Sequence, residues 1–93
     1  MTTIRRVERK IERTEGFRVT IRHLDGRNVR GDRQRMPNYP FERAMKNAAN
    51  VKRWREQRFV PTYPGFRVDV LGVDGAKAHG GTLLGTVRDT YLD

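Results

Sequence analysis

Residues 17–24, Phe17-Arg-Val-Thr-Ile-Arg-His-Leu24, decide how this chain is read. In an extended chain Phe17, Val19, Ile21 and His23 share one face, and Arg18, Thr20 and Arg22 share the other. This is the pattern of a strand with one side on a core. Leu24-Asp25-Gly26 follows as a turn. A two-residue Asp-Gly loop would place Val29 opposite Arg22. A three-residue loop with Gly26 left-handed places Val29 opposite Ile21, where a core can take it. The second register makes 27–33 a returning strand, with Asn28, Arg30 and Asp32 facing outward opposite Arg22, Thr20 and Arg18.

Upstream, Ile4, Val7 and Ile11 fit helical spacing and Gly16 suits a C-terminal cap. Three apolar residues are few for a helix, however, and the next strand starts at once. An edge strand is expected over 4–13, its alternating charges deterring stray pairing.

Downstream, Met36-Pro-Asn-Tyr-Pro40 breaks the sheet, and 41–59 has a helical composition. One continuous helix would put Lys52 and Arg55 on the apolar stripe and turn Trp54 away. A break near 47–50 repairs the phase. A short helix is therefore expected first, then a second helical piece capped by Asn50, with Val51, Trp54 and the stem of Arg58 on its inner stripe. Phe66 to Leu71 alternates as a strand with Phe66, Val68 and Val70 inward. Residues 74–81 are a Gly-rich turn, and 83–91 reads as a last strand. The expectation is a small single α+β domain over 1–93, with about three strands, a helical region and two strands, the antiparallel sheet packed on one or two helices.

Charge narrows the partner. Residues 1–58 hold 17 of the 20 Lys and Arg but 7 of the 11 Asp and Glu, a net +10, whereas 59–93 is −1. Sixteen of the basic residues are Arg, whose planar fork pairs bidentately with phosphate and guanine. A charge split this lopsided is the footprint of a polyanion binder. Two sets of side chains suit that role. Arg18, Arg22 and Arg30, with Thr20 and Asn28, share the outer sheet face, and strands carrying Arg and Asn can read base edges. Lys46, Lys52 and Arg53, with Arg43 and Arg55, are the helical set that would fix register on phosphates. The aromatic residues from Phe17 to Phe66 are expected in the core rather than as a stacking platform.

The chain has no cysteine, so disulfides and thiolate metal sites are excluded. No metal site and no cofactor is expected, no apolar run suits a membrane span, and the cytoplasm is the default location. His23 and His79 are the only histidines. A His and Arg site can cleave RNA by general acid–base chemistry. Small basic toxin-type ribonucleases share this size and charge, although their usual order of helices early and sheet late differs. The expected function is a small non-catalytic nucleic-acid-binding module, consistent with a phage or mobile-element origin. A protein-interaction adaptor or inhibitor docking an acidic partner is the alternative, and a toxin-type ribonuclease the minor one. Homodimerisation is compatible with so small a core.

Overall fold

The computed structural model describes residues 1–92. The strand over 17–24 stands as β1, Arg18–His23, with Val19 and Ile21 buried. It pairs antiparallel with β2, Phe66–Leu71, in a register that sets Ile21 against Val68 and Val19 against Val70. Both pairs face the core, as the alternation of each strand requires. Among the described residues this two-stranded sheet is the whole of the regular β structure. The expected three-plus-two arrangement is therefore corrected, while the α+β class stands.

The returning strand 27–33 begins in the expected register and then leaves it. Gly26 has φ 91°, Arg22 bridges Asn28, and His23 N–H donates to the Arg27 carbonyl at 3.0 Å. Beyond Asn28 the backbone serves a helix instead. The Gly31 and Arg33 carbonyls accept from the N–H groups of Arg5 (2.9 Å) and Ile4 (3.1 Å), and Met36 exchanges two hydrogen bonds with Thr2. The next N–H on that edge of β1, from Ile21, is taken by the Glu8 carboxylate at 2.9 Å. A side chain thus does the work of the missing strand.

The edge strand expected over 4–13 is instead helix α1, Ile4–Glu15. Thr3 caps it by accepting from Arg6 N–H, and Gly16 ends it at φ 83°, donating to the Glu12 carbonyl. Ile4, Val7 and Ile11 are all buried on its inner side. The stripe has a fourth member, Glu15, which is 1% exposed. A carboxylate does not look like a core residue, so the helical stripe reads one turn too short in the sequence.

The short helix expected after Phe41 does not form. Its backbone groups are taken by distant partners. Met45 N–H donates to Glu15 Oε1 (2.9 Å), the Arg43 carbonyl accepts from Arg58 (2.6 Å), and the Asn47 and Ala49 carbonyls accept from Gly85 (3.1 Å) and Leu84 (2.8 Å). The second helical piece does form, capped by Asn50 as expected. It runs as α2, Val51–Trp54, a π-helical turn, Arg55–Phe59, and α3, Val60–Thr62. Pro61 lies just past the wide turn and has no N–H to give. The extra residue moves the inner stripe from Arg58 to Phe59, so Val51, Trp54, Phe59 and Tyr63 are all buried. Residues 83–91 form helix α4, Leu84–Asp89, not a strand. Leu84 and Val87 are its buried pair, one helical turn apart.

Glu15 joins these pieces. Its Oε2 accepts from the Tyr39 hydroxyl (2.6 Å) and from Arg58 Nη1 (2.5 Å), and its Oε1 accepts from Arg88 Nη2 (3.5 Å) as well as Met45 N–H. The Trp54 indole N–H donates to the same Tyr39 oxygen at 3.1 Å. Removing one member of a buried ion pair leaves its partners uncompensated. Glu15→Ala is expected to destabilise by about 3–5 kcal/mol, and Tyr39→Phe by about 1 kcal/mol, in urea denaturation.

Glu8 behaves differently. Burial raises its pKa above the ordinary carboxylate value, against the opposing Ile21 N–H and Arg5 charge. A raised carboxyl contributes stability that is full below its unfolded pKa and lost as pH rises through the folded one. Glu8→Gln keeps an acceptor for Ile21 and removes the charge. It is expected to be the more stable protein at pH 7, with the difference vanishing in acid. A thermal melting series across pH checks this.

Candidate nucleic-acid interface

The outer face of the sheet carries Arg18, Thr20 and Arg22 on β1, and Leu71, Asp69 and Arg67 opposite them on β2. Arg67 is exposed with no ion-pair partner among the described residues, whereas Arg18, Arg22 and Asp69 are tied to neighbours. Arg22 Nε meets Asp69 Oδ2 at 2.5 Å, and Arg22 Nη1 donates to Asn28 Oδ1. Lys77 Nζ reaches the same Asp69 oxygen at 3.5 Å. Burial works against the Asp69 charge, but the Arg22 hydrogen bond and the Lys77 and Arg22 charges outweigh it and hold the carboxyl below its ordinary range. Arg18 donates to the Val73 carbonyl (2.8 Å) and lies 5.7 Å from the Tyr91 ring centroid. Arg18 and Arg22 therefore share the expected face. Arg30 lies beyond the strand, exposed and paired with Asp32 at 3.1 Å.

The helical set is spread over a turn and a helix start. Lys46 is exposed in the turn before Ala49, and Lys52 and Arg53 are exposed on the first turn of α2. Lys52 keeps only a long approach, 3.9 Å, to Glu56 one turn on. Arg43 is exposed and Arg55 half-buried. The aromatic residues build the core, as expected, with Phe41 and Phe66 at its margin. His23 is half-buried and stacks on Phe66 with ring centroids 6.1 Å apart, and His79 is exposed before α4. Among the described residues no three His, Cys, Asp or Glu gather as a metal site. No helix among them is long and apolar enough to cross a membrane.

One basic surface lies outside both expected sets. The outer face of α1 borders an open groove of about 830 Å³, closed on its far side by Asn38 and Glu42. Arg6, Arg9 and Arg13 line it together with Glu12, and none of the three arginines has an ion-pair partner among the described residues. Lys10, beside them, pairs with Glu42 at 2.8 Å. Its signal in the sequence is Arg6-x-x-Arg9-x-x-x-Arg13, spacings of three and four that share a face only on a helix. Read as a strand, the same residues scatter to both sides.

The chain matches no known protein family, no curated protein and no solved structure.

Asp69 is the negative centre of the sheet face, so it reports whether that face meets a polyanion. Asp69→Asn is expected to tighten binding to duplex DNA at low salt, measured by fluorescence anisotropy, if Arg18 and Arg22 take part. It is also expected to cost stability at neutral pH. A carboxyl with a lowered folded pKa contributes stability above its unfolded pKa and loses it as pH falls through the folded value. The stability gap between variant and wild type should therefore close only below the ordinary carboxylate pKa.

Proposed function

We propose that this chain is a small non-catalytic nucleic-acid-binding module. The observation that carries this reading is the row of unpaired arginines, Arg6, Arg9 and Arg13, along one groove of α1. A helix rises about 1.5 Å per residue, so the row spans about 10 Å. That length suits successive contacts along one sugar–phosphate strand. Arg is the side chain best matched to phosphate, and a net positive surface raises the rate at which a polyanion arrives. The net charge of +9 points the same way.

In this reading the basic residues divide their labour. Arg6, Arg9 and Arg13 hold the backbone, and Arg30, Lys46, Lys52 and Arg53 add exposed groups for further phosphates. Arg18 and Arg22, already tied to neighbours, face outward as a more rigid second surface. An acidic protein is the competing partner, and salt dependence separates the two. Deleting one arginine that neutralises a phosphate should reduce the slope of log K against log salt by about 0.9 for duplex DNA and about 0.7 for a single strand.

The triple variant Arg6→Gln, Arg9→Gln, Arg13→Gln is expected to lower the duplex slope by about 2–3, while Arg27→Gln, whose partner is the adjacent Asp25, changes it little. Anisotropy titrations across a salt series measure this. Wild-type binding weaker than about 100 µM at physiological salt to duplex DNA, single-stranded DNA and RNA would equal ordinary non-specific attraction and overturn the reading. So would a triple variant with the wild-type slope.

A further inference from the structure

A second concavity, about 380 Å³, lies between residues 33–37 and the turn 62–66. Its size is within the usual range of small-ligand pockets. Two features set it apart from an ordinary surface dimple.

The first is Arg35. It is the one non-glycine with positive φ (65°) among the described residues, a conformation costly for a residue with a Cβ. The backbone on both sides is pinned. The Arg33 carbonyl accepts from Ile4, and buried Met36 is bonded both ways to Thr2, at 2.8 and 2.9 Å. The arrangement therefore holds Arg35 at the pocket wall against its own preference.

The second is Arg33, whose guanidinium carbon lies 5.1 Å from the Phe66 ring centroid. Neither Arg33 nor Arg35 has an ion-pair partner among the described residues. A guanidinium resting on an aromatic ring keeps its N–H fork for an anion and its outer face for another flat group. Pro37 and Pro64 supply apolar wall on either side.

We infer that this pocket binds one nucleoside monophosphate unit, with its phosphate on Arg33 and Arg35 and its base against Pro37, Pro64 and the Arg33–Phe66 pair. The ligand is an anion and a flat ring together, because the pocket offers an unpaired cationic fork beside a stacking surface. The unit can be a free nucleotide or one nucleotide splayed from a single strand. A base stacked in a duplex cannot enter. The strand form rests on the nucleic-acid reading above, whereas the free form does not.

The test titrates isotope-labelled protein with AMP, adenosine and inorganic phosphate, following backbone amide shifts. AMP is expected to saturate, with shifts confined to 33–37 and 62–66, and each fragment alone to bind more weakly. In parallel, a short oligodeoxyadenylate and a matched duplex are titrated against wild type and Arg33→Gln/Arg35→Asn. Asn tolerates the left-handed backbone, so this variant drops the charges and keeps the wall. Its single-strand affinity is expected to fall about 5- to 100-fold, the range set by removing one stacked base, while duplex affinity changes by less than about two-fold.

Saturable AMP binding at 33–37 and 62–66 with no oligonucleotide bound would support the pocket as a free-nucleotide site and sink the nucleic-acid reading. Oligonucleotide binding that depends on Arg6, Arg9 and Arg13, with no AMP shifts and equal effects of the pocket variant on single strand and duplex, would sink the pocket and leave that reading intact.

Discussion

One buried carboxylate organises this molecule. Glu15 sits at the end of α1 and takes hydrogen bonds from Tyr39, Met45 and Arg58, and the Arg88 guanidinium spans both its side chain and its backbone carbonyl, the latter at 2.6 Å. Those partners come from the 39–45 segment, the π-helical turn and α4. With two guanidinium groups to one carboxylate, the cluster keeps a positive charge, and burial lowers the Arg88 pKa against the attraction of Glu15. Apolar residues of similar volume can hold a core as well as such a cluster does. What the cluster adds here is specificity of assembly. An apolar patch accepts many neighbours, whereas a carboxylate buried at 1% exposure needs donors on both oxygens from fixed directions.

Internal partners separate two kinds of arginine. Arg22, Arg58 and Arg88 are at least half-enclosed and spent on internal partners. Arg58 and Arg88 also rest beside Phe41 and Phe17, so their stems and planes serve as core surface. Arg6, Arg9, Arg13, Arg33 and Arg35 have no such partners among the described residues. A composition rich in Arg thus answers two needs of a small domain. It extends a thin hydrophobic core with long amphipathic side chains, and it leaves unpaired positive charge on the surface.

How much is legible follows from which forces are local. The alternation of 17–24 and of 66–71, the left-handed Gly26 and the Asn50 cap depend on a few adjacent residues, and all stand as read. The reversals lie where a distant group won. Residues 41–49 have helical composition, but their carbonyls and N–H groups serve Glu15, Arg58, Leu84 and Gly85. The returning strand gives way after Asn28 because the start of α1 needs the Gly31 and Arg33 carbonyls. The basic groove is obscured for one reason. Its residues are spaced for a helix, and the helix itself is hidden by a charged residue on its buried stripe.

By itself the sequence determined the α+β class, the inner faces of both strands, the aromatic core and the concentration of positive charge in residues 1–58. These follow from side-chain period and composition, which act along the chain. Tertiary structure alone decided that β1 pairs with β2, that α1 is a helix, and which arginines remain free. Those outcomes depend on where buried polar groups find partners, and the partners of Glu15 lie 24 to 73 residues away in the chain. No local pattern encodes a hydrogen bond that exists only after distant segments have met.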